Sequence, residues 1–451
     1  MVKTRQSQLS MNTDKHKSPS IKRSKSVSTV TPSPKKPRTT SNSRRPTKKT
    51  DASVGTTPVS APSITLLSSQ VAAVAPDSPY LDLNVPPAEL RPSATLTIGQ
   101  CFHWRVIEPN DHPTTTLPTS AWGTHDSTEW IGIVRISNSN HSDAHSIVVS
   151  LQETPDTTLY RVLHAPPRPL VNNAERILHD YFQLDTPLEP LYQEWSQADS
   201  IRLSKIAECI PGVRIVNQDP WECLVSFLCS SNNNIPRITK MLKAIRETYG
   251  TPLVTIGQET LYSFPSCEEL RNRATEQDLR DIGMGYRAKY LIQTMETLAE
   301  LGGEAYLHTL RETRDANVVQ EALMQFCGVG RKVADCVALF SLRQGDAIPI
   351  DVHVWNIARR DYDNEGVLVG VKSMTPTIYK QTASLFQSRF KRYAGWAHSL
   401  LFVAELPSFR AVLPQSVIDE MEKFREIEQK KKTAAREAKR AEKEGEKRHL
   451  T

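Results

Sequence analysis

Cysteine is sparse and scattered in this chain of 451 residues. Its seven cysteines (Cys101, Cys209, Cys223, Cys229, Cys267, Cys327 and Cys336) include no CxxC pair and no regular framework. That pattern excludes a disulfide-stapled scaffold and a cysteine-rich loop holding an iron–sulfur cluster, and it suits free thiols in a reducing compartment. Long apolar runs are also missing: none reaches the ~18–20 residues that span a bilayer. The opening residues carry no apolar core of the kind a secretory signal needs. A strong positive charge is lacking where nucleic-acid binding would call for one. The net charge is +6, yet residues 1–78 hold 14 Lys/Arg against 3 Asp and residues 416–451 hold 11 Lys/Arg against 9 Asp/Glu, which leaves −7 for residues 79–415. Overall charge therefore makes no case that the central part binds nucleic acid; only a local basic patch could do so.

What is present divides the chain into four parts, and the length allows two or three domains. Residues 1–78 are rich in Ser, Thr, Pro and Lys/Arg and are predicted to be disordered, because they have too little apolar surface to offset ordering entropy. Lys22-Arg23-Ser24-Lys25 and Lys35-Lys36-Pro37-Arg38 read as a two-part signal for the nuclear import machinery. Asp14 and the prolines make a mitochondrial presequence the lesser alternative. Residues 79–188 alternate short β-rich runs (Ala94–Thr97, Trp130–Ile136, Ser146–Leu151, Thr158–Leu163) with turn clusters such as Glu108-Pro109-Asn110-Asp111. They predict an antiparallel sheet with a covering helix over Ala174–Phe182.

Residues 189–406 read as almost wholly helical, through Asp219–Ser230, Ile238–Tyr249, Tyr286–Leu301, Val318–Phe326 and Lys380–Leu406. Residues 407–451 are a charged helical extension, Ser416–His449, expected to be solvated or to brush against DNA. The fold class is α+β.

The chemistry concentrates in Phe326 to Asp351, FCGVGRKVADCVALFSLRQGDAIPID. Gly328 and Gly330 punctuate two apolar segments, and Val333, Ala334, Val337, Ala338 and Phe340 have the spacing of a helix that buries one face. Glycines at such a joint permit a tight turn and bring main-chain N–H groups close to an anion. A hairpin followed by a helix N-terminus is a sequence-blind phosphate site. Lys332 then stands in the first helical turn, and Asp351 precedes another apolar-periodic segment.

These residues resemble the helix-hairpin-helix DNA glycosylases of base excision, in particular the eukaryotic 8-oxoguanine DNA glycosylase/AP lyase family. The family run of Leu-Pro-Gly-Val-Gly, lysine, Val-Ala-Asp-Cys and Pro-Val-Asp-Val-His stands here as FCGVG, Lys332, VADC and PIDVH. Phe326 and Cys327 replace Leu-Pro. Three further runs match: Gly99-Gln100-Cys101-Phe102-His103-Trp104, Asn232-Asn233-Asn234 with Arg237, and Gly283-Met284-Gly285-Tyr286-Arg287-Ala288.

The resemblance implies a base-flipping enzyme acting on double-stranded DNA that contains oxidised guanine. Lys332 would attack the sugar and form a Schiff base, and Asp351 would stabilise the cationic sugar. Asn232 would fill the vacated stack, Tyr286 would wedge it, and Arg237 and Arg287 would read the orphaned cytosine. Gly99 would offer a carbonyl to the hydrogen that oxidation adds to the ring. Cys336 and Phe402 would sandwich the flipped base, and His353 would lie near the 5′ phosphate. His398 stands where the family usually has glutamine. It is expected still to read the base, with recognition weakening below about pH 6.5 as imidazole gains a proton.

The enzyme is expected to act as a monomer, without membrane attachment, cofactor or catalytic metal. A structural ion at the hairpin is left open. Two alternatives also stay open: a glycosylase of the same fold for other lesions, and a non-catalytic DNA-binding helix-hairpin-helix module.

Overall fold

The computed structural model describes residues 79–107, 128–138, 141–165, 173–256, 259–371 and 373–449. The basic clusters at 22–25 and 35–38 and the turn at 108–111 lie outside these residues. Described first is a short strand, β1 (Leu81–Asp82), and then the one-turn helix α1 (Pro92–Thr95). Ala94–Thr97 was expected to be a strand, but Pro92 takes the first helical position. There its fixed φ suits a helix and its missing N–H costs nothing.

Strands β2 (Arg105–Ile107), β3 (Glu129–Asn138), β4 (His141–Glu153) and β5 (Thr158–His164) complete an antiparallel sheet of order β1-β5-β4-β3-β2. The central pair keeps register from Glu129↔Gln152 to Ile136↔His145. Helix α2 (Ala174–Tyr181) covers one face, burying Leu178 and Tyr181 with Trp104, Trp130, Val149 and Leu151. Side chains alternate across a strand, so Ile131, Ile133 and Val148 face the opposite way.

That second face meets an element the helical reading of residues 189–406 missed. A hairpin of β6 (Pro252–Ile256) and β7 (Glu259–Tyr262) lays Leu253, Val254 and Leu261 against the sheet. Arg105 on β2 pairs with Glu259 at 2.9 Å. Two short runs split by Gly257-Gln258 carried this signal in the sequence.

The remainder is helical: α3 (Leu188–Ala198), α4 (Leu203–Cys209), α5 (Pro220–Ser230), α6 (Ile235–Tyr249), α7 (Cys267–Arg273), α8 (Glu276–Leu279), α9 (Arg287–Glu300), α10 (Glu304–Glu312), α11 (Ala316–Leu323), α12 (Arg331–Ser341), α13 (Val352–Ile357), α14 (Pro376–Phe390), α15 (Ala394–Glu405) and α16 (Gln415–His449). Helices α5 and α15 are buried along nearly their whole length. Lys380–Leu406 was expected to be one helix, and it is two. Lys391 and Tyr393 adopt left-handed φ values of 54° and 57°, which break the helix. The break lets the Gly395 N–H reach the Gly345 carbonyl at 2.9 Å. Helix α16 is not solvated throughout. Val417 and Met421 are buried in the main core, Arg359 pairs with Glu428 at 2.7 Å, and exposure dominates beyond that point.

Buried charge joins sheet to helices. Arg135 on β3 reaches Asp219, the N-cap of α5, at 2.5 Å and Glu304 on α10 at 2.8 Å. Glu222 lies beside His103 at 3.2 Å and also binds Arg246 on α6. Burial works to raise the Glu222 carboxyl, but the Arg246 guanidinium and the His103 ring outweigh it and hold the group down at about 2.

Candidate active site and DNA-facing loops

The hairpin between α11 and α12 presents its glycines to solvent. Gly328 has φ +80°, and a Cβ there would come within 2.5 Å of the Tyr290 ring, so only glycine fits. Gly330 is the N-cap of α12 in an extended conformation. The first N–H groups of α12 are thereby turned outward with no intrahelical acceptor, which is the geometry an anion needs. Phe326 is buried and meets Tyr306 edge-on at 6.5 Å. An aromatic anchor thus stands at the hairpin entry, where the family has Leu-Pro.

Lys332, in the first turn of α12, is half-buried, with Nζ 5.4 Å from the centre of the Phe227 ring. One helical turn on, burial pushes the Cys336 thiol up to about 11 against the lowering influence of Lys332, while Asp335 and Asp351 act with burial. The lysine, the thiol and the carboxylate of Asp351 therefore share one neighbourhood. Asp351 caps α13, with Oδ1 accepting from the N–H groups of His353 at 2.8 Å and Val354 at 2.9 Å. The cap fixes the carboxylate's direction and gives it a role in the fold besides any role in chemistry.

His398 on α15 is buried, and its Nδ1 donates to the Gly395 carbonyl at 2.7 Å. That bond sets the tautomer and leaves Nε2 as an acceptor alone. Burial, opposed by the Gly395 carbonyl and Asp351, lowers its pKa to about 4. The expected window near pH 6.5 is therefore corrected: the ring stays neutral until about pH 4. A neutral imidazole has one donor and one acceptor, and here the donor is already committed to the Gly395 carbonyl. Phe402, half-buried on the same helix, meets the exposed His353 ring at 5.8 Å and 86°.

The loops predicted to face DNA come together. Asn232 is exposed with φ +49°, Asn233 donates to the Cys229 carbonyl at 2.9 Å, and Asn234 caps α6 through the Arg237 N–H at 3.1 Å. Arg237 is exposed on the first turn of α6. The second loop, Gly283–Arg287, turns through glycines at φ +100° and +59°. Tyr286 is 45 % exposed and donates to the Ser231 carbonyl at 3.0 Å. Arg287 lies only 2 % exposed, under the Tyr286 ring, donating to the carbonyls of Ser231 and Asn232. In this conformation Arg287 braces the two loops against each other, and it must release those carbonyls before it can reach a base.

Gly99 follows buried Ile98, with φ +78°, and a Cβ there would sit 3.1 Å from Ile235 Cδ1. Gln100 clamps this turn, donating to the Thr95 and Arg214 carbonyls and accepting from the Val216 N–H at 3.0 Å. Gly99 is thus held against the start of α6, three residues after Asn232.

Two family models match consecutive segments: the N-terminal domain of 8-oxoguanine DNA glycosylase over residues 82–224, and the HhH-GPD superfamily of base-excision DNA repair proteins over residues 225–367. The N-glycosylase/DNA lyase OGG1 of Arabidopsis thaliana is 37 % identical over 347 residues, spanning 74 % of this chain and 90 % of that protein. The chain belongs to the 8-oxoguanine DNA glycosylase family. The N-glycosylase/DNA lyase of Saccharomyces cerevisiae is 39 % identical over 252 residues, 51 % of this chain and 66 % of that protein. Among solved structures, the 8-oxoguanine glycosylase/lyase of Clostridium acetobutylicum, bound to double-stranded DNA with cytosine opposite 8-oxoG, matches with a TM-score of 0.55 and 27 % identity. It covers 71 % of this chain and 93 % of that one.

Two residues of this glycosylase with no expected role, Asp335 inside the VADC run and Tyr379 on α14, are joined at 2.6 Å. The run itself contained the signal, since an Asp between the apolar Ala334 and Cys336 in a buried helix needs a partner. Among the described residues no cluster of three or more His, Cys, Asp or Glu side chains could hold a metal ion.

Proposed function

We propose that this protein removes 8-oxoguanine lying opposite cytosine in duplex DNA and then nicks the abasic strand, with Lys332 as the nucleophile. The observation that carries this reading is the convergence of Lys332, Cys336 and Asp351 behind an outward-facing glycine hairpin. The hairpin holds a phosphate without regard to sequence. The lesion is swung out of the stack, which costs a few kcal/mol. Asn232 then fills the gap, Tyr286 props it, and Arg237 reads the orphaned cytosine; the exposure of all three side chains supports these roles.

The Lys332 amine then bonds to the anomeric carbon as the glycosidic bond breaks and its electron pair leaves with the base. Opening of the sugar ring gives a Schiff base. Loss of a proton from the adjacent carbon expels the 3′ phosphate and nicks the strand. Asp351, fixed by its cap, offsets the positive charge that develops on the sugar. The proton shed by the attacking amine passes to the departing base, and water finally hydrolyses the Schiff base to free Lys332, so amine, carboxylate, DNA and water supply every atom and no cofactor is required. The basic tail of residues 1–78 suits nuclear import, and a fluorescent fusion lacking it should lose nuclear accumulation.

The test is excision from duplexes bearing 8-oxoguanine opposite C, 8-oxoguanine opposite A, an alkylated purine, or undamaged guanine. Fastest release from the first supports the reading. Preference for the alkylated purine, or binding with no release from any duplex, would replace it.

A further inference from the structure

A buried junction ties the hairpin, the Lys332 helix and the segment entering Asp351. Asp335 is only 6 % exposed and stands one helical turn after Lys332. Its Oδ1 accepts from Gln320 Nε2 on α11 at 2.7 Å, which locks the two helices of the hairpin together. Its Oδ2 meets the Tyr379 hydroxyl of α14 at 2.6 Å. The same hydroxyl lies 3.1 Å from the Ile348 carbonyl and accepts from the Ile350 N–H at 3.1 Å. Ile350 is the residue before Asp351. One phenol thus spans the gap between the helix carrying the nucleophile and the strand-like segment carrying the carboxylate.

We propose that Tyr379, held by Asp335, is a positioning residue that fixes the Asp351 carboxylate relative to Lys332, without itself touching DNA. This rests on the reading of Lys332 and Asp351 given above.

Hydrogen counting supports it. A phenol has one hydrogen and two lone pairs, and three groups converge on this one. When Asp335 is ionised, the phenol donates to it and the Ile348 carbonyl is left without that donor. When Asp335 is protonated, it donates to the phenol, which turns its hydrogen to Ile348, and all three partners are satisfied. Burial, against the Tyr379 and Gln320 hydrogen bonds and the charge of Arg331, raises Asp335 to about 6, which places both arrangements in reach. Pro349, between the two tethered residues, stiffens the segment. The other side of that segment is pinned by the Gly395 N–H on the Gly345 carbonyl and by the Ala394 N–H on Asp346.

The experiment compares wild type, Tyr379→Phe, Asp335→Asn and Lys332→Gln in single-turnover excision and in binding to a duplex with a non-cleavable lesion analogue. Tyr379→Phe keeps the ring and removes the tether. Its excision rate should fall about ten- to a hundred-fold, the scale of an ångström's misplacement, with analogue affinity unchanged within about threefold. Asp335→Asn retains two hydrogen-bonding atoms and should keep most of the rate. Excision by Tyr379→Phe at the wild-type rate, or a rate that falls only in step with the folded fraction measured by circular dichroism, overturns the proposal. Excision by Lys332→Gln at the wild-type rate would instead overturn the reading beneath it, so the two failures are distinguishable.

Discussion

The antiparallel sheet and the helical core are locked together by buried charge, yet they contribute unequally to the site. Every predicted site residue except Gly99 comes from the helical core. Helices supply it with directed ends: the outward N–H groups of α12 and the capped carboxylate at the start of α13. The sheet supplies one backbone turn, pressed on Ile235 and clamped by Gln100. Changes on the helical side should therefore appear in the chemistry, and changes on the sheet side in stability or in discrimination between bases.

The sharpest way to break this contrast lies at Asp351. Asparagine caps a helix about as well as aspartate, so Asp351→Asn should cut single-turnover excision by about 10²–10³-fold while the melting temperature barely moves. A fall in melting temperature that matched the loss of rate would return Asp351 to a capping role.

At the joint the expectation reverses. Glu222 is depressed in the folded protein to about 2 from an ordinary 4.5, so its contribution is present above pH 4.5 and is lost as pH falls towards 2. That contribution is on the order of 3 kcal/mol. Glu222→Gln should lose about that much by urea titration at pH 7 and show a flatter acid limb, with excision per folded molecule unchanged. Loss of excision without loss of stability would mean that the joint serves the chemistry.

Gly99→Ala should fall between the two classes. Its left-handed backbone and the 3.1 Å approach to Ile235 predict a cost of about 1–2 kcal/mol. They also predict a shift of up to about tenfold in the preference for 8-oxoguanine over guanine. An unchanged preference would remove the sheet from the site altogether. The smallest effect is expected at His398: with the ring neutral down to about pH 4, wild type and His398→Gln should give parallel rate profiles between pH 5 and 8. A wild-type break near pH 6.5 that vanishes in the variant would contradict the buried, Gly395-bound ring.

The contrast also explains what could be read from the sequence. The hairpin glycines, Lys332 and Asp351 lie within one short stretch, so local pattern and chemistry coincide there, and α5 announced itself through Asp219 and Pro220. The β6–β7 hairpin was less legible. Its strands are short, and their stability comes from covering Ile131, Ile133 and Val148 on a sheet more than a hundred residues earlier. The split between α14 and α15 depends on Gly395 approaching Gly345, again a contact between distant segments. His398 was legible as a departure from the family's glutamine. Its protonation was not, because burial and the Gly395 carbonyl decide it. Arg287 was legible as a residue facing DNA, whereas its bracing of the Ser231–Asn232 turn required both loops to be seen at once.

The central claim is that one amine forms the bond to the sugar. Borohydride reduction during turnover on a duplex bearing 8-oxoguanine opposite cytosine, followed by proteolysis and mass mapping, identifies the residue joined to DNA. The adduct is expected on Lys332, with none formed by Lys332→Gln. An adduct on another residue, or one formed undiminished by Lys332→Gln, would contradict it.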